Sequence, residues 1–579
     1  SAGVEWTILD DFHFKAAGLT DEVLDRYWIT ESDGHTLSIF PGSEHLRYVI
    51  PFAAPDATIE HLRFLGSRRQ GAVAIFGDDG EKFGVWPETH KTCFQDGWLQ
   101  HFFRLLEENQ EWITMVLPSE VIQSDSPGGN IWLPECSYRE MTEWALPPAQ
   151  QIACINARHN AKSDPQQALI VPFIRGGSWK NFRSKYPEAN EMYARMMVIS
   201  NRLERMPRDS ITDTIAYDEA IDSLYRGQCN CAYWHGAFGG IYLPHLRNAI
   251  YQSFITAENA LDRAEGRPST WVEAISSDFE FDGKTEVRLS NEHFDLWIAP
   301  STGGMVYEFD LRGQRHNILA TLDRRPEAYH DQVRAGPGKA RSIIDSSQQA
   351  TFKHEGLSEK LLYDNTRRKS LIDHFFDVDA SSAAIISGEA MERGDFATGA
   401  YEASIRRNPD RMQVLLSRTG NVWGIPFTLS KAITLSAGSN TVEIGYKLED
   451  LPADFCQHLA VEFNFAGLPA QAKGRCFKDN NGLNLGHLGT HLDLKETSLV
   501  SLEDDWLDIR VSLECGVASN GGHAGFWTFP IESVSQSEDG FELIHQSVVV
   551  MPHWIVTPDA NGCWDVLIKV SVADHINTP

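Results

Sequence analysis

The sequence predicts a multidomain protein whose character changes twice along the chain, from α/β to α to β. Three observations carry this. Residues 1 to about 150 alternate short apolar runs with stretches of helical period. Residues from about 151 to 270 keep the helical period, and from about 271 to 579 the period falls to two. Strand–helix alternation builds parallel sheets and barrels, whereas period two between Gly-, Asn- and Asp-rich turns builds antiparallel sandwiches.

The elements follow in order. Val4 to Leu9 predicts a strand, and Ala72 to Phe76 a second, wholly apolar and so covered on both faces. Trp98 to Glu108 predicts a helix with Leu99, Phe102, Phe103 and Leu106 on one stripe. Ile113 to Val116 predicts a third strand. In such sheets chemistry sits on loops just past the C-terminal strand ends. Pro187 stands at the first turn of a helix in which Tyr193, Met196, Met197, Ser200 and Leu203 share a face. Pro244 opens another, striped by Leu246, Ala249, Ile250, Phe254 and Ala257 and closed by Gly266-Arg267-Pro268. These stripes are core rather than ligand surface. Phe294, Leu296 and Ile298 then alternate with Asp295 and Trp297, as Trp564, Val566, Ile568, Val570 and Val572 do near the end. Asp479-Asn480-Asn481-Gly482 marks a turn.

Composition narrows the function. A chain of 579 residues holds two to four domains, and 16 Trp and 30 Phe supply core material and surface for sugar stacking. A formal charge of −29 disfavours nucleic acid and anionic membranes as partners, while neutral glucans carry no penalty. No apolar run approaches the ~18 residues of a membrane span, and no secretory signal opens the chain. Nine Cys, mostly single, fit a reducing cytoplasm better than a disulfide framework. Cys229 and Cys231 form one close pair, read as structural thiols rather than metal ligands. No Walker loop, Gly-x-Gly-x-x-Gly after a strand or HExxH occurs, so neither cofactor nor metal is expected. With no initiator Met and a strand so near the start, Ser1 reads as a cut end.

One segment concentrates chemistry: Phe76-Gly77-Asp78-Asp79-Gly80-Glu81-Lys82-Phe83-Gly84-Val85-Trp86. Three carboxylates within four positions are costly at a strand end unless they bind something or work. Crowding raises the proton affinity of one of them, as a general acid requires. Gly80 and Gly84 let the backbone turn closely, and Trp86 offers a sugar face. An exposed acidic turn is the plain alternative. Elsewhere His13, two residues past Asp11, shares a strand face with it and by itself reads as a structural His. Trp234 and His235 beside Gly236 serve packing or a sugar subsite.

These residues also carry a resemblance. The 76–86 run resembles the fourth sequence motif of glycoside hydrolase family 57. Asp10-Asp11-Phe12-His13-Phe14, Leu46 to Phe52, Glu143 to Pro147 and Arg175 to Phe182 are similar to further family segments, in order. Gln228-Cys229-Asn230 with Ala232-Tyr233-Trp234-His235-Gly236 resembles the fifth motif, and Asn291 to Phe294 with Pro300 to Gly304 resembles the β-sandwich of the 4-α-glucanotransferase subgroup. The resemblance implies part of a (β/α)7-type barrel over 1–150, a helical domain over 151–270 and an antiparallel β-sandwich over 271–579. It implies Asp79 as general acid/base and Glu81, Trp86, His13, Trp234 and position 231 as substrate-binding.

The implied reaction is retaining transfer or hydrolysis of α-1,4-glucans, with malto-oligosaccharides, starch or glycogen as substrates. A homodimer is compatible with it. Two departures stand out. The family nucleophile lies in a string of the form Trp-Leu-x-Glu-x-Val, which does not occur here and is expected upstream of Ser1. The fifth motif has Asp where this chain has Cys231, and a thiol cannot replace a charged hydrogen bond. That substitution supports the alternative of a non-catalytic carbohydrate-binding protein on the same scaffold.

Overall fold

A computed structural model describes residues 3–133, 135, 137–340, 349–466, 470–538 and 540–574. The chain opens on a small sheet. Strand Trp6–Asp10 runs parallel to His35–Gly42, which pairs antiparallel with Trp28–Ser32. Phe40, Ile39 and Trp28 are buried between this sheet and its flanking segments. Asp10 ends the first strand and caps the helix Asp11–Ala16 by accepting the Phe12 N–H at 2.9 Å. His13 therefore lies on a helix and not on a strand: the cap turns the chain one residue after the strand's last pair.

Two further strand expectations are corrected. Ala72 to Phe76 is extended but makes a single bridge, Ile75 beside Gly42, and Phe76 is 37% exposed. An apolar run does not reveal that only one neighbour is present to pair with it. Ile113 to Val116 has no partner strand among the described residues, and Met115 is exposed. The helix expected between them spans Trp98–Glu108.

The middle of the chain is helical. Helices Pro187–Arg205, Thr214–Gly227 and Pro244–Ala264 pack around Met192, Ile199, Leu224, Ile250, Phe254 and Leu261, each almost fully buried. Pro stands at the first turn of the first and third, where its missing N–H costs nothing. Gly227 lets the second helix approach the third, because a Cβ there would lie 2.2 Å from the Phe254 ring.

The remainder is rich in sheet. Among the described residues five strands between Val272 and Asn317 form one antiparallel sheet in chain order. A nine-stranded antiparallel sheet starts from Glu402–Asn408 and Arg411–Val422, with the late strand Trp564–Asp574 at its centre. A six-stranded sheet centres on Gln457–Ala466, Gly540–Val556 and Gly525–Ser537. All three sheets contribute to one apolar core, in which Leu296, Val414, Ile444, Val461, Val550 and Ile568 are buried. Strand Trp564–Asp574 buries every second residue as expected, but Phe294–Ala299 is buried on both faces because helices cover its polar side.

That covered side holds a buried charge cluster. Arg195, from the first long helix, reaches Glu308 at 2.8 Å, Glu258 at 2.7 Å, Asp310 at 3.1 Å and Asp295 at 3.3 Å. Arg288 meets Asp295 at 2.6 Å and Glu258 at 2.5 Å. Two guanidiniums face four carboxyls. Burial, followed by the charge of Glu308, lifts Asp310 far above the ordinary carboxyl range, and burial brings Glu308 to about 7. The cluster approaches neutrality by retaining a proton. No helix among the described residues is long and apolar enough to cross a membrane. Replacing Arg195 with Met leaves Glu308 and Asp310 without a guanidinium in the interior and Glu258 and Asp295 with Arg288 alone. We expect a loss of about 3–5 kcal/mol of stability, read from chemical denaturation.

Candidate active site

Three strand-like segments of the opening sheet end side by side. Trp6–Asp10 delivers Asp10, His35–Gly42 delivers Gly42 and Ser43, and the Ile75 segment, bonded through Ser43 N–H to Ile75 O at 2.9 Å, delivers Gly77 to Glu81. Gly77 passes close to Ile8, where an added Cβ would sit 3.6 Å from the Ile8 side chain. These ends form one wall of a cleft of about 1340 Å³.

Asp79 stands exposed on that wall, at the entry of the 3-10 turn Gly80–Phe83. Its backbone N–H donates to Asp78 Oδ1 at 2.8 Å. Among the described residues no hydrogen bond or ion pair engages its carboxylate. Partial burial, then the charges of Asp78 and Glu81, raise its proton affinity; Lys82 and Arg47 oppose them. Lys82 is buried, ion-paired with Asp78, and donates to the Arg47 carbonyl at 2.7 Å. Trp86 folds back through its N–H to Glu81 O at 3.1 Å and stacks on Phe52 with centroids 6.3 Å apart. Gly84 allows the turn at φ +129°, where a Cβ would strike Phe94.

A second wall combines residues 137–144 with the helical region. Trp144 and Trp234 stack 5.6 Å apart and within 4° of parallel, with Tyr138 edge-on to Trp144. Gly236 makes the stack feasible, since a Cβ there would lie 2.3 Å from the Trp144 ring. Trp234 follows the 3-10 turn Asn230–Tyr233, which sets Cys231 on the wall, half-buried, its thiol raised by burial and by Cys229. The sheet-rich region closes the floor with Glu327 and Tyr329. Glu327 accepts from Tyr186 at 2.7 Å, Tyr242 at 3.0 Å and Lys185 at 3.1 Å. His235 bonds Tyr329 Oη at 3.0 Å and is held neutral by burial, which lowers its pKa to about 4.

Asp79, Glu81, Trp86, Cys231 and Trp234 thus share one cleft. His13 does not line it. It is fully buried, its pKa lowered to about 4, and its ring donates to the carbonyl of Ser137, which does line it. Sequence reasoning missed the polar frame. Arg47 lies 3.1 Å from Asp10 and 3.0 Å from Glu140; Tyr48 donates to Glu140; Arg139 reaches Glu44 at 2.7 Å. Partners about 90 residues apart leave no local signal. Asp10, Asp11 and Glu44 cluster closely enough to suggest a cation, but Arg47, Lys15 and Arg139 already meet them. Trp132-Leu133-Pro134-Glu135 comes nearest to the nucleophile string. Glu135 pairs with Lys180 at 2.6 Å and lies off the cleft.

Comparison with known proteins gives three consecutive matches. The model "Glycosyl hydrolase family 57" matches residues 1–134. The middle and C-terminal domains of "Alpha-amylase/4-alpha-glucanotransferase" match 177–261 and 278–568. The chain is 32% identical over 576 residues to alpha-amylase 1 of Dictyoglomus thermophilum, covering 98% of this chain and 79% of that protein. It is 34% identical over 559 residues to the 4-alpha-glucanotransferase of Thermococcus kodakarensis, covering 95% and 76%. The crystal structure of the 4-alpha-glucanotransferase from Thermococcus litoralis superposes with a TM-score of 0.80 at 31% identity, covering 99% of this chain and 78% of that one.

Gly236→Ala is expected to force the Trp144–Trp234 pair apart. The overpacking should cost about 1–3 kcal/mol and weaken the near-ultraviolet circular dichroism of the stacked indoles.

Proposed function

The chain belongs to glycosyl hydrolase family 57, as an enzyme of its α-amylase/4-α-glucanotransferase kind, and from that premise we propose that its cleft takes α-1,4-linked glucan and that Asp79 is the general acid/base. The observation that carries this reading is the unengaged Asp79 carboxyl on the wall, its proton affinity raised, in a cleft also lined by the Trp86–Phe52 and Trp144–Trp234 stacks. Indole faces bind the apolar faces of glucose rings, and a carboxyl whose hold on its proton is strengthened by burial and by neighbouring carboxylates can give that proton to a leaving oxygen.

In a retaining mechanism a carboxylate about 5–5.5 Å from the acid attacks the anomeric carbon. The acid protonates the departing sugar oxygen, then takes a proton from the acceptor. A sugar hydroxyl as acceptor gives transfer, and water gives hydrolysis. Asp79 would serve both proton transfers. The string that carries the attacking group in the family is absent from these 579 residues, so that group is assigned to no residue of this chain. Glu81 and Trp86 would hold the ring at the point of cleavage and Trp234 a neighbouring ring. Cys231 would hold it less firmly than a carboxylate, because a thiol bonds sugar hydroxyls weakly. His13 would act at one remove by fixing Ser137.

We read the opening sheet as part of the family's (β/α)7-type barrel, with domain boundaries near residues 150 and 270 and an antiparallel β-sandwich beyond. Asp79→Asn in the full-length enzyme is expected to cut turnover of maltoheptaose by about 10²–10⁴, measured by product chromatography. Undiminished turnover would remove Asp79 from the mechanism.

A further inference from the structure

We propose that Lys82 and Asp78 are positioning residues for Asp79: their buried ion pair fixes the loop that presents the acid and sets the charge that the acid feels. The inference rests on the reading of Asp79 as acid/base and extends it to two neighbours.

The geometry is specific. The Asp78 side chain is 6% exposed and that of Lys82 5%, although Asp79 between them faces the cleft. Asp78 divides its oxygens. Oδ1 accepts the Asp79 N–H at 2.8 Å, which orients the acid's own peptide, and Oδ2 meets the Lys82 ammonium. The ammonium also donates to the Arg47 carbonyl at 2.7 Å, tying the loop to helix Glu44–Val49. It lies 5.4 Å from the centroids of both Phe52 and Trp86. One buried cation therefore holds the acid's loop and underlies the aromatic pair beside it. Burying an ammonium costs several kcal/mol unless it is matched, and these contacts match it.

The charges facing Asp79 come from several elements. Its own segment supplies Asp78, Glu81 and Lys82. Helix Glu44–Val49 supplies Arg47, which is itself paired with Asp10 and Glu140, and Tyr138 approaches from the second wall. Asp78 and Lys82 are the two whose charges cancel at close range. Removing one exposes Asp79 to the other. A buried pair that merely stabilises the fold would change the amount of active enzyme and leave the acid's titration where it was.

The test is the pH dependence of kcat/KM on maltoheptaose for the full-length enzyme, whose alkaline limb reports the acid that must be protonated. Asp78→Asn keeps an oxygen for the Asp79 N–H and leaves Lys82 uncompensated. The alkaline limb should fall by about one pH unit. Lys82→Met keeps the stem beneath Phe52 and Trp86 and leaves Asp78 uncompensated, so the limb should rise. The double variant should return it close to the parent's position. Limbs that stay in place in both single variants, or that move together in one direction, overturn the proposal. Asp78→Asn preserves side-chain shape and decides the matter alone if Lys82→Met fails to fold. Should Asp79→Asn prove fully active, the reading of Asp79 falls instead.

Discussion

Charge taken out of water must be met, and that requirement joins the regions of this protein. Arg195 leaves a helix to meet carboxyls of a second helix and of the five-stranded sheet. Nearby, Glu188 meets Arg325 at 2.7 Å, Glu191 meets Lys369 at 2.7 Å and Arg367 at 2.7 Å, and Arg247 meets Gln546 at 2.7 Å. Each bond crosses from the helical region to the sheet-rich region. Breaking one leaves a bare charge in a medium that solvates it poorly, so the junction is fixed in register as well as in contact. The cleft inherits that register. Trp234 stands on the helical side, Glu327 and Tyr329 on the sheet side, and Tyr186, Tyr242, Lys185 and His235 bind the two together.

The same rule shapes the wall that carries Asp79. Asp10, Glu44, Asp78 and Glu140 would crowd the strand ends with negative charge, but Arg47, Arg139 and Lys82 lie among them. Asp79 and Glu81 are left on the surface of that frame. Asp10, Asp78 and Glu140 also line the cleft, but their cations hold that wall in shape, whereas among the described residues no ion pair meets Asp79. In the same cleft Gly236 leaves room for the Trp144–Trp234 pair, and the turn that ends in Trp86 seats its ring on Phe52.

Much of this was legible in the sequence. The change of period from helix to strand near residue 271 is written in single residues, as are the prolines that open the long helices. Asp79, Glu81 and Trp86 stand out because three carboxylates crowd one short run among glycines, and the structure places all three residues on one cleft. What was not legible depended on distance or on partners. Ala72 to Phe76 has the composition of a buried strand but a neighbour on one side only. Phe294–Ala299 looks amphipathic yet is covered on both faces, since Asp295 meets Arg195 from a helix and Arg288 from the adjacent strand. His13 shares a motif with cleft residues but points inward, because the Asp10 cap turns it onto a helix. Arg47, Glu140 and Lys82 acquire meaning only when the loops that hold them come together.

The fastening around Arg195 has a mechanical consequence. A hinge between the long helices and the sheets would have to draw guanidiniums off carboxyls in a dry interior, so opening there is energetically closed. A polysaccharide entering the groove meets a rigid back and floor. Whatever yielding its passage demands falls to the short turn Asn230–Tyr233, which carries Cys231 and holds no charged residue, since the buried Lys82–Asp78 pair pins the turn Gly80–Phe83 as firmly as the helices are pinned.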